Sequence, residues 1–94
     1  MNIRYFYDPD TGHPHIYRHN VSENEIEEVL THPGEDRVGK EGSRVAIGQT
    51  KAGRYLRIIY VPDSEPNNIF IITAFELKGK TLMAYKKRRR KRKK

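Results

Sequence analysis

The sequence predicts an α+β domain: a small antiparallel sheet of three to four strands, with one helix in the N-terminal half and a second helix near the C-terminus packed on it. Three stretches carry this prediction. Residues 43–62 alternate apolar and polar side chains in two runs, which is typical of a β-hairpin. Residues 22–32 show the pattern of a capped amphipathic helix, and residues 69–75 form the most apolar segment of the chain.

The predicted hairpin has strands over residues 44–50 and 54–61. In the second strand Leu56, Ile58 and Tyr60 fall on one face, because side chains alternate across a strand. Residues 51–53 end in a glycine, which suits a type I turn closed by a glycine bulge. Pro62 has no N–H to donate to a neighbouring strand and therefore marks the end of the second strand.

The first helix has the clearest local pattern. Ser22 occupies an N-cap position and Glu25 follows three residues later, which predicts a capping box. Val21 and Ile26 occupy the two positions of a hydrophobic staple. The helix is expected to stop at residues 33–34, a Pro-Gly pair.

The remaining elements follow from composition and spacing. Residues 3–7 and 35–40 are candidate strands, and residues 69–75 are expected to form a central strand beside residues 54–61. A second helix is expected to start at Thr81. We therefore predict one α+β domain over residues 1–85 and a basic tail over residues 86–94.

Composition narrows the class of protein. The chain has 94 residues, no cysteine and a formal net charge of +7. The last nine residues are all Lys or Arg, and without them the remaining 85 residues carry 10 basic and 12 acidic side chains. No apolar run approaches the roughly 20 residues that span a bilayer, and the first residues lack the apolar segment of a signal peptide. These observations predict a cytoplasmic protein without a membrane partner and without a disulfide framework.

The basic tail predicts contacts with phosphates. A run of like charges without apolar residues does not fold alone, and it favours nucleic acid over a membrane surface, since no apolar side chains are interleaved. The alternative is a solvated tail that aids solubility. The residues expected to contact nucleic acid are Lys86, Lys87, Arg88, Arg89, Arg90, Lys91 and Arg92.

Several segments together resemble BrnT-type toxins. Residues 18–22, Arg-His-Asn-Val-Ser before an acidic helix, resemble their Lys-His-Gly-Val-Ser segment. Residues 44–50 and then 53–54 resemble their Ala-Ile-Gly-Arg-Thr and Gly-Arg hairpin. Residues 71–74 resemble their Ile-Ile-Ser-Ala strand, and Tyr85 lies where these toxins usually have a late tyrosine. The related DUF4258 family shares this layout.

The resemblance implies a RelE-like fold and a type II toxin–antitoxin role. It implies a ribonuclease that uses no metal or other cofactor, acts on RNA, including ribosome-bound mRNA, and is neutralised by an antitoxin protein. An exposed sheet edge would also permit a homodimer.

Metal-free RNA cleavage needs an acid, a base and cations that stabilise the phosphorane. His19 is the candidate acid or base, since an imidazole exchanges protons near neutral pH. Arg44, Arg54 and Arg57 are candidate phosphate ligands, and Tyr85 is a candidate to join the same site.

Each of these residues also has a structural interpretation. His19 would bond the turn before the helix, Arg57 would pair with a glutamate across the sheet, and Tyr85 would join helix to sheet. The spacing of His13, His15 and His19 matches no strong metal motif, so no metal site is predicted.

The primary hypothesis is therefore a toxin-like metal-free ribonuclease. The alternative is a non-catalytic module that binds nucleic acid through its basic tail. A third hypothesis is a protein-interaction domain in which the glutamate-rich first helix meets a basic partner.

Overall fold

The computed structural model describes residues 2–65 and 67–92, with the side chain of Arg92 left undescribed. The regular elements follow one another in this order: β1 (Asn2–Tyr5), a 3-10 helix (His15–His19), α1 (Glu23–Thr31), β2 (Glu35–Val38), β3 (Arg44–Gln49), β4 (Tyr55–Pro62), β5 (Asn68–Glu76) and α2 (Gly79–Arg92).

Within the described residues, the sheet has five strands in the order β1-β5-β4-β3-β2, and it is mixed. The predictions of three to four strands and of an antiparallel sheet are therefore wrong. β1 pairs in parallel with β5, from Asn2 beside Asn68 to Tyr5 beside Ile71. Between these two strands the chain builds α1 and three other strands before it returns as β5 beside β1.

The predicted hairpin is confirmed as β3 and β4. Its register runs from Arg44 beside Tyr60 to Gln49 beside Tyr55. Gly53 has a φ of +100°, a conformation that L side chains rarely adopt, and its N–H donates to the carbonyl of Thr50 at 3.0 Å. The turn therefore has the glycine geometry that the sequence predicts.

The first face of the sheet packs on α1 and the 3-10 helix. The predicted capping box is present, since the Ser22 hydroxyl accepts from the Glu25 N–H at 3.2 Å and the Glu25 carboxylate accepts from the Ser22 N–H at 3.0 Å. Val21 and Ile26, the predicted staple pair, are buried in the same cluster. The other members of this core include Ile16, Val29, Ala46, Leu56, Ile58, Tyr60, Ile71 and Ala74.

The opposite face of the sheet packs on α2. Tyr85 is only 4 % exposed and joins a cluster with Val45, Ile47 and Leu77. α2 does not end at this contact but continues to Arg92, across the predicted boundary between domain and tail. Lys93 and Lys94, the last residues of the predicted tail, lie outside the described residues. Because the basic segment begins on a packed helix, its first cations have fixed positions on the fold.

Candidate nucleic-acid interface

A cleft of about 550 Å³ lies between α2 and the chain that leads from α1 into β2. This volume lies within the range of about 300–1,000 Å³ typical of ligand pockets. We call it the α2 cleft. Its lining residues are His32, Pro33, Gly34, Gln49, Tyr55, Tyr85, Lys86, Arg89 and Arg90.

The floor of the α2 cleft depends on a close approach between Tyr85 and Gly34. A Cβ atom at residue 34 would lie 1.7 Å from the Tyr85 hydroxyl oxygen and 2.9 Å from Cζ, so a larger residue cannot share this space with the ring. The Gly34 N–H donates to the carbonyl of Ile47 at 2.8 Å, which fixes the glycine against β3. The absence of a side chain at Gly34 therefore sets the depth at which α2 docks.

The Tyr85 hydroxyl makes no hydrogen bond within the described part of the chain, although its ring is buried. The ring meets Tyr55 edge-on, with centroids 5.9 Å apart. Burial raises the pKa of Tyr85, an effect that neighbouring Arg89 partly opposes. At neutral pH Tyr85 is therefore a protonated donor, with its hydroxyl at the cleft.

Three cations of α2 line the cleft, and no carboxylate does so among the described residues. Lys86 places its Nζ 5.1 Å from the centroid of the Tyr55 ring. Arg89 donates from Nη1 to the carbonyl of Gly34 at 2.8 Å, and Arg90 has no ion pair in the described ranges. Because residues 86 and 90 are one helical turn apart, both point to the same side of α2.

The remaining basic residues of α2 have other surroundings. Arg88 makes a two-pronged contact with the buried carboxylate of Glu35, from Nε at 2.5 Å and from Nη2 at 3.1 Å. Lys87 and Lys91 are exposed and do not line the α2 cleft. Arg92 ends the helix. The predicted basic residues of α2 therefore fall into three groups. One group lines the α2 cleft, and Arg88 anchors the helix to Glu35. The exposed Lys87 and Lys91 form a third group, which we call the outer face.

Sequence reasoning missed His32 and Gly34 as site residues, because it interpreted residues 32–34 only as a helix stop. Their role depends on contact with α2, about fifty residues further along the chain. A histidine beside a Pro-Gly pair was the available local signal, and it does not specify such a contact.

Arg44 lies far from the α2 cleft, at the open end of the hairpin. Its Nε donates to Asp36 at 2.9 Å, and the same carboxylate accepts from the Tyr60 hydroxyl at 2.6 Å. Burial, followed by the Asp36 contact, raises the pKa of Tyr60 to about 12. Arg44 is thus held in a network between β2 and β4.

Arg54 joins β4 to the start of α1. Its Nη1 lies 2.9 and 2.8 Å from the two carboxylate oxygens of Glu25, and its Nη2 lies 3.4 Å from Glu76. The same Nη1 donates to the carbonyl of Asn20 at 2.8 Å. Two carboxylates neutralise this guanidinium, and the contacts support a structural role for Arg54.

His19 lies beside Arg54 in a smaller pocket of about 290 Å³. Its ring meets Phe75 with centroids 6.2 Å apart and His15 with centroids 5.4 Å apart. Arg54 and Arg44 lie at opposite ends of the hairpin, roughly 20 Å apart at about 3.3 Å per residue. The structure thus brings Tyr85 together with Lys86, Arg89 and Arg90, and His19 together with Arg54. Arg44 and Arg57 lie elsewhere, Arg57 on the α2 side of the sheet.

Neither a metal-binding cluster nor a membrane-spanning helix is found among the described residues. They contain no group of three or more His, Cys, Asp or Glu side chains placed to hold a metal ion. Among them, too, no helix combines the length and apolar character needed to cross a membrane.

The fold and the α2 cleft define a small α+β domain with a basic helix packed across its sheet. The sequence pattern of DUF4258, described as a domain of unknown function, matches residues 15–76, about two thirds of the chain. The chain belongs to this family. The matched segment supplies His32, Gly34 and Tyr55 to the cleft, whereas α2 lies beyond it. No curated protein and no solved structure matches the chain.

Proposed function

We propose that this protein binds single-stranded RNA in the α2 cleft. The observation that carries the proposal is the convergence of three α2 cations with two tyrosines in a cleft that no described carboxylate lines. Cations that track a backbone, combined with aromatic rings, are the usual means of binding single strands. The proposal refines the alternative of a nucleic-acid-binding module: part of the basic helix forms a shaped site.

The chemistry of the cleft supports RNA as the ligand. Lys86, Arg89 and Arg90 offer positive charge to phosphates, and the Tyr85 hydroxyl offers a hydrogen bond that no described residue takes. Tyr55 is half-buried, and Lys86 lies beside its ring. A base can stack on this ring in the cleft. A ribose 2′-hydroxyl is an acceptor for a protonated tyrosine in such a site.

Two double variants of α2 test the cleft with equal loss of charge. Lys86→Gln/Arg90→Gln removes cleft cations, and Lys87→Gln/Lys91→Gln removes cations of the outer face. Binding of a fluorescein-labelled oligouridylate, followed by anisotropy at several salt concentrations, is the measurement. We expect the first variant to lose affinity and to reduce the slope of log K against log salt by about 1.4, since each single-strand phosphate contact contributes about 0.7.

The outer-face variant is the matched control, because both pairs are one helical turn apart and change the charge equally. We expect its slope to change by much less. Equal effects of the two variants would show that only the total charge matters, and the cleft proposal would then be abandoned.

We propose metal-free RNA cleavage in the same cleft as a second candidate function. The observation that favours it is that His32 and the Tyr85 hydroxyl line one cleft with three cations. In this reaction the 2′-oxygen attacks phosphorus as a base takes its proton, and the bond to the 5′-oxygen breaks as an acid protonates that oxygen. The products are a 2′,3′-cyclic phosphate and a 5′-hydroxyl.

The site suggests a role for each group. The Tyr85 hydroxyl carries a proton at neutral pH and lies at the cleft, so it is the candidate acid. The imidazole of His32 suits the base, and the α2 cations would stabilise the additional negative charge of the phosphorane. His19 and Arg54, predicted as catalytic from the sequence, would take no part in this cleft.

Cleavage of a mixed RNA in the presence of EDTA tests this candidate. We expect Tyr85→Phe and His32→Gln each to lower the cleavage rate at least about tenfold. A full acid or base contribution is typically worth about 10²–10⁴ in rate. His19→Gln is the control and should leave the rate within about twofold. Loss of cleavage in His19→Gln alone would instead support the constellation expected from the sequence.

A cellular role is proposed from the resemblance to BrnT-type toxins and their RelE-like fold. A toxin that cleaves RNA would slow growth when expressed without its antitoxin, and Tyr85→Phe would relieve the effect. Unchanged growth at a well-folded expression level would count against the toxin role, while leaving RNA binding to be judged by the anisotropy measurement.

A further inference from the structure

A second groove, of about 590 Å³, lies on the α2 side of the sheet at the β2 edge. Its walls come from β2, the β2–β3 turn, β3 and β4. We call it the Arg57 groove. The residues that define its chemistry are Arg37, Lys40, Val45, Arg57 and Ile59.

Arg57 is the unusual member of this groove. Its Nε is buried and has no hydrogen-bond partner in the described part of the chain. Its direct neighbours across the sheet are Ile47 on β3 and Phe75 on β5. The side chains of these two neighbours contain no hydrogen-bond acceptor. The glutamate partner expected from the sequence is not found within the described ranges. A buried donor without a partner costs free energy, so an acceptor supplied from outside would be bound favourably.

The charge around Arg57 is positive, and the floor of the groove is apolar. Lys40 makes no ion pair within residues 2–65 and 67–92, and Arg37 approaches Glu35 only at 3.6 Å. No acidic side chain lines the groove among the residues described. Val45 and Ile59 form its apolar floor, and Val38 at the rim is 75 % exposed.

We propose that the Arg57 groove docks an acidic segment of a partner protein. A carboxylate of that segment accepts from Arg57 Nε, with Arg37 and Lys40 beside it, and aliphatic side chains on either side of the carboxylate pack on Val45 and Ile59. Arginine within an apolar setting is typical of the central residues of protein interfaces. The charge complementarity selects an acidic rather than a basic segment.

Two features favour protein over RNA as the occupant. Among the described residues no aromatic ring lines the groove, whereas the half-buried ring of Tyr55 lines the α2 cleft and can stack on a base. In the part of the chain that the structure describes, β2 is also the last strand of the sheet, so an extended segment can pair with its outer edge as a sixth strand. This proposal does not depend on the RNA-binding proposal, which concerns a different cleft.

Side-chain NMR of the full chain tests the proposal with three probes. The Nε–Hε resonance of Arg57 and the methyl resonances of Val45 and Ile59 are followed during titration. The probes are acetyl-Val-Glu-Val-Glu-Val-amide, the same peptide with Gln in place of Glu, and an oligouridylate. We expect the Glu peptide to shift all three residues at least threefold more than the Gln peptide at equal concentration.

The other outcomes overturn the proposal. Equal shifts with the Glu and Gln peptides would show that the carboxylate of the peptide plays no part in binding. Larger shifts of Arg57 with the oligouridylate would assign the groove to nucleic acid. No shift with any probe would show that the groove does not select acidic segments.

Arg57→Met supplies a second measurement, because it keeps the apolar stem and removes the guanidinium. We expect the Glu peptide to lose its effect on Val45 and Ile59 in this variant, while the midpoint of urea unfolding stays equal or rises. Arg88→Met, which removes an arginine with a carboxylate partner, is the control and should lower the midpoint. A marked fall of the midpoint in Arg57→Met would make Arg57 a structural residue and overturn the proposal.

Discussion

The contact between Gly34 and Tyr85 shows how one missing side chain shapes the candidate site. The Tyr85 ring fills the space that a Cβ atom at residue 34 would occupy, and it packs there against β3 and Tyr55. A buried aromatic ring cannot move aside as a flexible side chain can, because its neighbours are close-packed. Residue 34 therefore controls both the stability of the α2 contact and the shape of the α2 cleft.

Gly34→Ala is expected to lower the free energy of unfolding by about 1–3 kcal/mol, the usual cost of forcing extra volume into a packed site. Urea unfolding measures this change. Tyr85→Phe removes the nearer of the two contacts, at 1.7 Å, and should recover part of the loss when it is combined with Gly34→Ala. Strictly additive effects of the two substitutions would contradict a direct contact between them.

At the scale of elements, α2 is a helix whose first half is fixed by apolar contacts and whose second half is fixed by charge. Leu82 and Tyr85 pack on the sheet, whereas Arg88 and Arg89 bond to Glu35 and to the Gly34 carbonyl. A run of nine basic residues would repel itself as an isolated helix. The acidic and carbonyl groups of the β2 segment therefore stabilise α2 where its own sequence does not.

Arg88→Met is expected to loosen the last two turns of α2 while leaving the Tyr85 contact in place. Arg88 is 40 % exposed, so after allowance for solvent screening the local loss is about 1 kcal/mol, or about fivefold faster amide exchange. Hydrogen exchange of residues 86–91 measures it. Lys87→Met is the control, since Lys87 is exposed and should leave exchange nearly unchanged. Equal acceleration in both variants would argue against an anchoring role for Arg88.

The sequence predicted those elements whose signals are local. The capping box of Ser22 and Glu25, the staple and the glycine turn at Gly53 each involve residues within five positions, and all are present. β1 was not placed in the sheet, because its partner on β5 lies more than sixty residues away and only four residues pair. Local patterns carry no information about such a pairing.

The candidate site was predicted less completely for the same reason. Tyr85 and the cations of α2 were identified from the sequence, but their partners across the cleft, His32 and Gly34, were not. Arg44 and Arg54 were both predicted as phosphate ligands of one catalytic site. The observed register separates them, and each has carboxylate partners instead.

At the scale of the whole molecule, the segment between β1 and α1 is hydrogen-bonded to the sheet at the point where β1 ends beside β5. The Phe6 N–H donates to the carbonyl of Ile71 at 2.9 Å, and the His15 N–H donates to the carbonyl of Phe6 at 2.8 Å. Asp8 lies inside this segment with its carboxylate almost fully buried. Hydrogen bonds from Arg18, and then from His15, hold the pKa of the Asp8 carboxyl below its usual range.

Because the pKa of Asp8 is lowered in the folded protein, the contribution of Asp8 to the free energy of unfolding is expected to decrease as pH falls. Because the unfolded Asp8 carboxyl has a pKa of about 3.9 and the folded one a lower value, its stabilising effect is complete above the unfolded pKa. The effect is lost as pH falls through the folded pKa, where the carboxylate becomes protonated. We expect Asp8→Asn to be less stable than the natural chain at pH 6, and the difference to shrink below about pH 4. Urea unfolding across this pH range measures the trend.

Asp10→Asn is the control, since the Asp10 side chain is 81 % exposed, and it should change stability little at any pH. A constant difference between Asp8→Asn and the natural chain from pH 6 to pH 2 would show that the Asp8 charge does not stabilise the segment between β1 and α1.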